Sequence, residues 1–146
     1  NSISDIFIWE MAEDNNGDIW IATNMGGLDK YNVETEKFTH YRNNPGDKNS
    51  LSSDKLRSVF IDRSGNLWVG TWGGGLNVLD TKSGKFAKYL HDAQDSSSLN
   101  NNVVNNIFED SSGRIWICTD GGLAEYNKKQ NNFKRFKKVK RITKID

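Results

Sequence analysis

His40 and His91 are the only imidazoles in this chain of 146 residues, and either would need partners to act as an acid, a base or a metal ligand. They fall in different columns of the repeat set out below. His91 adjoins Asp92, but adjacent residues of a strand point to opposite faces, so the pair reads as part of a solvated loop. Asp14, Asp62 and Asp110 recur at a constant offset. Hydrolysis by paired acids needs two carboxyls converging on one bond, whereas repeated positions are set apart, so these three read as turn caps. Gly73-Gly74-Gly75 could cradle a phosphate, but no helical pattern follows and the Lys-Ser/Thr of a phosphate loop is missing. Ser96-Ser97-Ser98 lacks the pattern of a nucleophile elbow and reads as a flexible loop. Cys118 is the single cysteine, which rules out an internal disulfide; it reads as a small buried residue, with a reactive thiol as the alternative. No catalytic residue, metal-ligating set or cofactor motif emerges.

Binding chemistry has better candidates. Asn24-Met25, Trp72 and Asp120 occupy one position at which otherwise similar segments differ, and Trp9, Arg57 and Asn105 occupy another. An indole beside amides, a carboxylate and a guanidinium suits stacking on a sugar ring and hydrogen bonding to its hydroxyls. Trp72, with Arg57 and Asp120 as polar neighbours, is therefore the expected centre of a ligand surface to which Asn24, Met25 and Trp9 contribute. The alternative is ordinary variation in surface loops.

The elements that would position these residues are repeated. Asp14-Asn15-Asn16-Gly17-Asp18-Ile19-Trp20-Ile21-Ala22-Thr23 returns as Asp62 to Thr71 and again as Asp110 to Thr119, at an offset of 48 both times. Gly27-Leu28 matches Gly75-Leu76 and Gly122-Leu123, the last copy being one residue shorter. Phe38 and Tyr41 match Phe86 and Tyr89, then Phe133 and Phe136. The units are residues 1–48, 49–96 and 97–146.

Each unit predicts four short strands. The first runs over Ile8 to Glu13, Leu56 to Ile61 and Val104 to Glu109, and Asp-x-x-Gly then supplies a tight turn in which Gly17, Gly65 and Gly113 take positive φ. The second holds Trp20, Trp68 or Trp116 in a run that is apolar on both faces, as a strand covered on both sides requires. A glycine turn leads to the third strand, and the fourth carries Phe38, Phe86 or Phe133. Four strands over roughly 40–50 residues with a Trp in a fixed strand describe one blade of a β-propeller, an all-β architecture of antiparallel sheets stacked around an axis. The three indoles should pack between neighbouring blades. Three blades fall short of the roughly 4 to 8 that close a ring, so exposed faces predict self-association, two chains giving six blades, unless further blades of a longer parent cover them.

Net charge is +1, which favours no strongly charged partner. From Asn127 onward, however, nine basic residues face only Asp146. Phe133, Phe136, Val139 and Ile142 interleave with them, which fits a lysine-protected edge strand better than a site for nucleic acid or a membrane surface. No run approaches the roughly 20 apolar residues that span a bilayer. The polar start, Asn1-Ser2-Ile3-Ser4, suggests a piece of a longer polypeptide, so any membrane link is expected only through segments outside this sequence.

The succession Asp-x-x-Gly-x-Ile/Leu-Trp-Ile/Val-x-Thr, Gly-Leu, Phe-x-x-Tyr and the loop Arg42 to Ser52 resembles the two-component regulator propeller repeat over essentially the whole chain. Leu79 and Cys118 depart from their columns as packing substitutions. The resemblance implies a periplasmic or cell-surface sensor region of a bacterial hybrid histidine kinase or a related signalling protein, non-catalytic in itself, many such regions answering to polysaccharide breakdown products. A propeller used only for protein interaction or dimerisation is the second reading, and a propeller glycosidase or lyase the third.

Overall fold

The computed structural model describes residues 1–136; the basic residues from Lys137 onward, with Val139 and Ile142, lie outside them. Three four-stranded antiparallel sheets follow one another along the chain. Blade 1 holds β1 (Ile8–Glu13), β2 (Ile19–Thr23), β3 (Leu28–Asn32) and β4 (Lys37–Tyr41); blade 2 holds β5 (Leu56–Ile61), β6 (Leu67–Thr71), β7 (Leu76–Asp80) and β8 (Lys85–Tyr89). Blade 3 holds β9 (Val104–Glu109), β10 (Ile115–Thr119), β11 (Gly122–Asn127) and β12 (Asn132–Phe136). In each sheet the strands lie in chain order, and β1, β5 and β9 neighbour one another on the inner side. The all-β class, the strand count and the order agree with the sequence-based expectation.

The turn between first and second strands is built by its aspartate. Asp14 Oδ1 accepts the backbone N–H groups of Asn16 (2.9 Å) and Asp18 (3.1 Å), and its Oδ2 accepts the indole N–H of Trp20 (2.9 Å). Asp62 does the same for Ser64, Asn66 and Trp68, and Asp110 for Ser112, Arg114 and Trp116. Gly17, Gly65 and Gly113 sit at φ of 80°, 84° and 79°, a region that a Cβ disfavours. The next turn is tied by the threonine that ends the second strand: Thr23, Thr71 and Thr119 donate through Oγ1 to the carbonyls of Gly27, Gly75 and Gly122.

The parity of the second strand assigns its side chains to blade faces. Trp20 and Ala22 pack against Val59, Leu67, Val69, Leu79 and Phe86 of blade 2, with Leu51 of the connecting loop inserted between. Trp68 and Leu76 pack in the same way on Ile107, Ile115, Ile117 and Phe133, with Leu99 inserted. Among the described residues no fourth blade covers the third indole. Trp116 is only partly buried and lies against Phe136 at 5.5 Å, and Phe38 on the opposite uncovered face is likewise partly buried. Cys118 shares this fate. Ala22 and Gly70 in its column are buried between blades, but Cys118 is exposed, contrary to the buried position expected of it, because no described residues cover the side that it faces. The connecting loop also differs from expectation: Ser98 Oγ accepts from Asp92 N–H and donates within the turn, while Arg135 donates to the carbonyls of Ser98 and Asp95 (both 2.7 Å). A hydrogen-bonded turn stands where a flexible serine loop was expected.

Two outcomes test this packing. Trp68→Ala should lower unfolding free energy by about 3–5 kcal/mol, and Trp116→Ala by roughly half that, in urea denaturation followed by circular dichroism. Asp110 is held below the usual carboxylate range first by the Trp116 indole N–H and then by the Arg114 and Ser112 backbone and the Arg114 side chain, against some desolvation. A folded pKa below the unfolded value gives stability that is present at neutral pH and is lost as pH falls through the folded pKa. Asp110→Asn should therefore lose less stability than the parent between about pH 5 and pH 2, read from melting temperature against pH.

Candidate functional site

The inner strand of each blade carries one residue more than its partner. The β1–β2 register steps from Ile8↔Thr23 to Glu10↔Ala22, so Trp9 is extruded as a β-bulge; Arg57 is extruded between Leu56 and Ser58, and Asn105 between Val104 and Asn106. A bulge re-aims its side chain out of the ladder. Here the re-aimed side chain meets the residue that follows the second strand. Backbone bonds hold that meeting place in every blade: Asn24 N to Phe7 O (2.9 Å), Trp72 N to Lys55 O (2.8 Å) and Asp120 N to Val103 O (3.1 Å).

The side chains then pair by different chemistry. In blade 1, Trp9 Nε1 donates to Asn24 Oδ1 at 3.2 Å. In blade 3, Asn105 Nδ2 donates to Asp120 Oδ1 at 2.7 Å. In blade 2, the Arg57 guanidinium lies 3.8 Å from the Trp72 ring centroid and 4.4 Å from that of Trp9, bridging two blades. Arg57 thus contacts one indole from each of the two blades. Arg57 is partly buried, whereas Trp9 and Trp72 are each 51% exposed.

Five of the six residues singled out in the sequence thus converge on one rim: Trp9, Asn24, Met25, Arg57 and Trp72. Asp120 does not join them. Trp72 pairs through its backbone with Val103, whose carbonyl holds Asp120, and the Asp120 carboxylate is taken by Asn105 in the next blade. A cavity of about 380 Å³ opens at the rim, lined by Asn24, Met25, Lys55, Leu56, Arg57 and Trp72. Lys55 and Leu56 were not singled out from the sequence; the residue before the bulge is the signal that would have found Leu56. The loop carrying Met25 is fixed by Asp5, which accepts the N–H groups of Phe7 (3.0 Å) and Met25 (2.8 Å), and these bonds lower its pKa. Glu10, beside the Trp9 bulge, turns to the other side and accepts Val59 N–H at 3.0 Å; burial raises its pKa.

Cavities elsewhere belong to the repeat. One of about 210 Å³ between blades 2 and 3 is lined by Asp62, Trp68, Tyr89 and Tyr126, and one of about 430 Å³ between blades 1 and 2 by Asp14, Trp20 and Lys30. Both follow the aspartate–indole seams and mark blade stacking. His40 does find a partner, which the sequence did not reveal: its Nδ1 lies 2.6 Å from buried Asp29, whose other oxygen accepts Ser4 N–H and Oγ–H at 2.7 and 2.8 Å. The carboxylate stands between the serine and the imidazole, so the histidine cannot take the serine proton as a nucleophilic triad requires. In blade 2 the same column holds Asn77, bonded to Ser52, which marks the contact as a structural tie of the connecting segment to its blade.

The two component regulator propeller family matches residues 2–25, 50–73 and 98–121. Each segment runs from the connecting loop through the first two strands to just past the rim residue. Among solved structures, the extracellular domain of a hybrid two component system from B. thetaiotaomicron superposes with a TM-score of 0.83 at 24% identity, over 92% of this chain and 19% of that one. A second such domain from the same organism gives 0.68 at 26% identity, over 88% of this chain and 18% of its own. Virginiamycin B lyase from Staphylococcus aureus gives 0.67 at 18% identity, over 94% of this chain and 43% of its own. This chain therefore spans less than a fifth of the length of the extracellular domains that it resembles. No curated protein matches it in sequence. With one match in register on each of three consecutive blades, the chain belongs to the two component regulator propeller family.

Proposed function

We propose that this chain is part of a ligand-sensing propeller in the extracytoplasmic region of a bacterial signalling receptor, and that it binds oligosaccharide at the rim without transforming it. The observation that carries the reading is the convergence of Trp9, Arg57 and Trp72 beside one cavity, at positions where the three blades differ. Exposed indoles offer stacking faces for a pyranose ring, and Asn24 and Lys55 line the cavity with polar groups. The similar extracellular domains of two component systems support the receptor setting and the extracytoplasmic location. A non-catalytic role accords with the geometry: Glu10 and Asp5 are engaged by backbone N–H groups and Asp120 by Asn105, so the rim presents no pair of facing carboxyls.

A second reading, as an interaction or dimerisation module, has its own support in the uncovered blade faces. Phe108 and Phe136 are exposed on blade 3, as is Met11 on blade 1. These faces carry the same columns that pack between blades elsewhere, so the chemistry that suits them is another blade of this repeat, from a longer chain or from a second copy.

Differential scanning fluorimetry against oligosaccharides separates the two. A specific sugar should raise the melting temperature by mass action, and Trp72→Ala should abolish the rise; a response unchanged in Trp72→Ala, or no response to any sugar, rejects the rim reading. Light scattering tests the blade faces: the expected mass is twice the 16.6 kDa of the chain, and a stable, well-folded monomer would count against association.

A further inference from the structure

Deepening the oligosaccharide reading, on which it rests, we infer that the rim selects acidic saccharides, with the Arg57 guanidinium as the anchor for the carboxylate of a uronic acid. The first ground is an unmet hydrogen-bonding capacity. Arg63, Arg114 and Arg135 each donate to an acceptor within the chain, whereas the guanidinium groups of Arg42 and Arg57 make neither a hydrogen bond nor an ion pair with any described residue, and of these two only Arg57 lines the rim cavity. A guanidinium carries five N–H donors and no acceptor. The Trp72 and Trp9 ring centroids lie 3.8 and 4.4 Å from the carbon of the Arg57 guanidinium, and neither ring offers an oxygen acceptor to the N–H donors along its edge.

The second ground is shape. A guanidinium is planar and presents its N–H donors along its edge. A planar carboxylate meets that edge with two parallel N–H···O bonds, and the neighbouring indoles then cover the sugar ring that carries it. Charge is the third ground. Lys55 lines the same cavity, while Asp5, Glu10 and Asp54 are each committed to backbone N–H groups: Asp54 Oδ1 accepts from Asn43 at 2.6 Å. The cavity of about 380 Å³ lies at the small end of the roughly 300–1,000 Å³ usual for ligand sites, which suits one or two sugar units and not a long chain. A neutral sugar would leave the Arg57 edge to water; an acidic one satisfies it.

The test uses the 146-residue chain and measures binding by isothermal titration calorimetry and by fluorescence of the rim indoles. The probes are trigalacturonate, trimannuronate and a hyaluronan tetrasaccharide, each beside its methyl ester, with neutral galactotriose and mannotriose, and with sodium acetate as a free carboxylate. The expected result is that at least one acidic probe binds, that its ester binds at least ten-fold more weakly, and that acetate at equal concentration does not compete. Arg57→Gln should lose at least ten-fold in affinity with its melting temperature kept, and Arg57→Lys, which keeps the charge but not the planar fork, should fall between. Acid and ester binding alike, acidic probes failing where a neutral one binds, or Arg57→Gln binding like the parent would each overturn the uronate anchor while leaving the oligosaccharide reading in place. Silence from every sugar, acidic and neutral, would remove both.

Discussion

An aspartate that serves a turn with one oxygen and an indole with the other is the contact on which this array depends. An indole is large and apolar but carries one donor, and burying that donor without an acceptor costs about 1–3 kcal/mol. Asp14, Asp62 and Asp110 supply the acceptor from the same residue that closes the first hairpin. Turn formation, indole orientation and blade spacing are thereby coupled. If the turn opens, the indole loses its acceptor; if the indole leaves the interface, the carboxylate loses one of its donors. This coupling explains why Asp and Trp recur together six residues apart although neither spacing nor burial alone would demand the pair.

The same contact occurs in three surroundings, which separates what the repeat dictates from what stacking adds. The bond from Trp116 to Asp110, at 3.0 Å, is nearly as short as those of the covered indoles, at 2.9 Å, yet Trp116 is only partly buried. Local geometry therefore belongs to the blade, and burial belongs to the neighbour. Cys118 makes the point from the other side: its column is reserved for small residues because the next blade approaches closely, as at Gly70, where an added Cβ would run into Ser58 and Val104. Among the described residues nothing packs on that side of blade 3, and the thiol is exposed.

Periodicity made the twelve strands and the buried columns legible, because each rests on apolar spacing and turn residues that recur three times. The pairings that span a blade edge were not legible. Nothing along the chain couples His40 to Asp29, eleven residues away, since the contact needs the register of β3 on β4 that brings the two opposite one another. The role of Arg135 was hidden for a similar reason: it reads as one of many basic residues near the end, whereas its position on β12 sets it over the carbonyls of the connecting loop. For the rim, the divergent columns were visible but their pairing was not, because a bulge changes the parity of a strand and cannot be read from alternation alone. Asp120 was grouped with Trp72 on the strength of shared column and suitable chemistry, and the blade-by-blade pairing rule assigns it to Asn105 instead.

That rule has a physical consequence for how such an array can acquire specificity. A bulged residue takes no part in the alternating in-and-out pattern, and the residue after the second strand lies beyond its last ladder pair, so neither is constrained by the interblade core. Their backbones, by contrast, are tied in all three blades by the same bond. The outcome is a position with a firm main chain and a free choice of side chain, which here holds Trp with Asn, Arg with Trp, and Asn with Asp. Only the middle choice reaches across to the next blade, because a long planar cation can contact two rings where a short amide can contact one partner. On the proposed reading, recognition at this rim would depend on the junction of two blades rather than on either alone, and a change in blade spacing would alter the gap between Trp9 and Trp72 directly. On the same reading, a ligand seated at that gap would touch both blades at once and bind more tightly at one blade spacing than at another, the differential affinity by which occupancy shifts a conformational equilibrium.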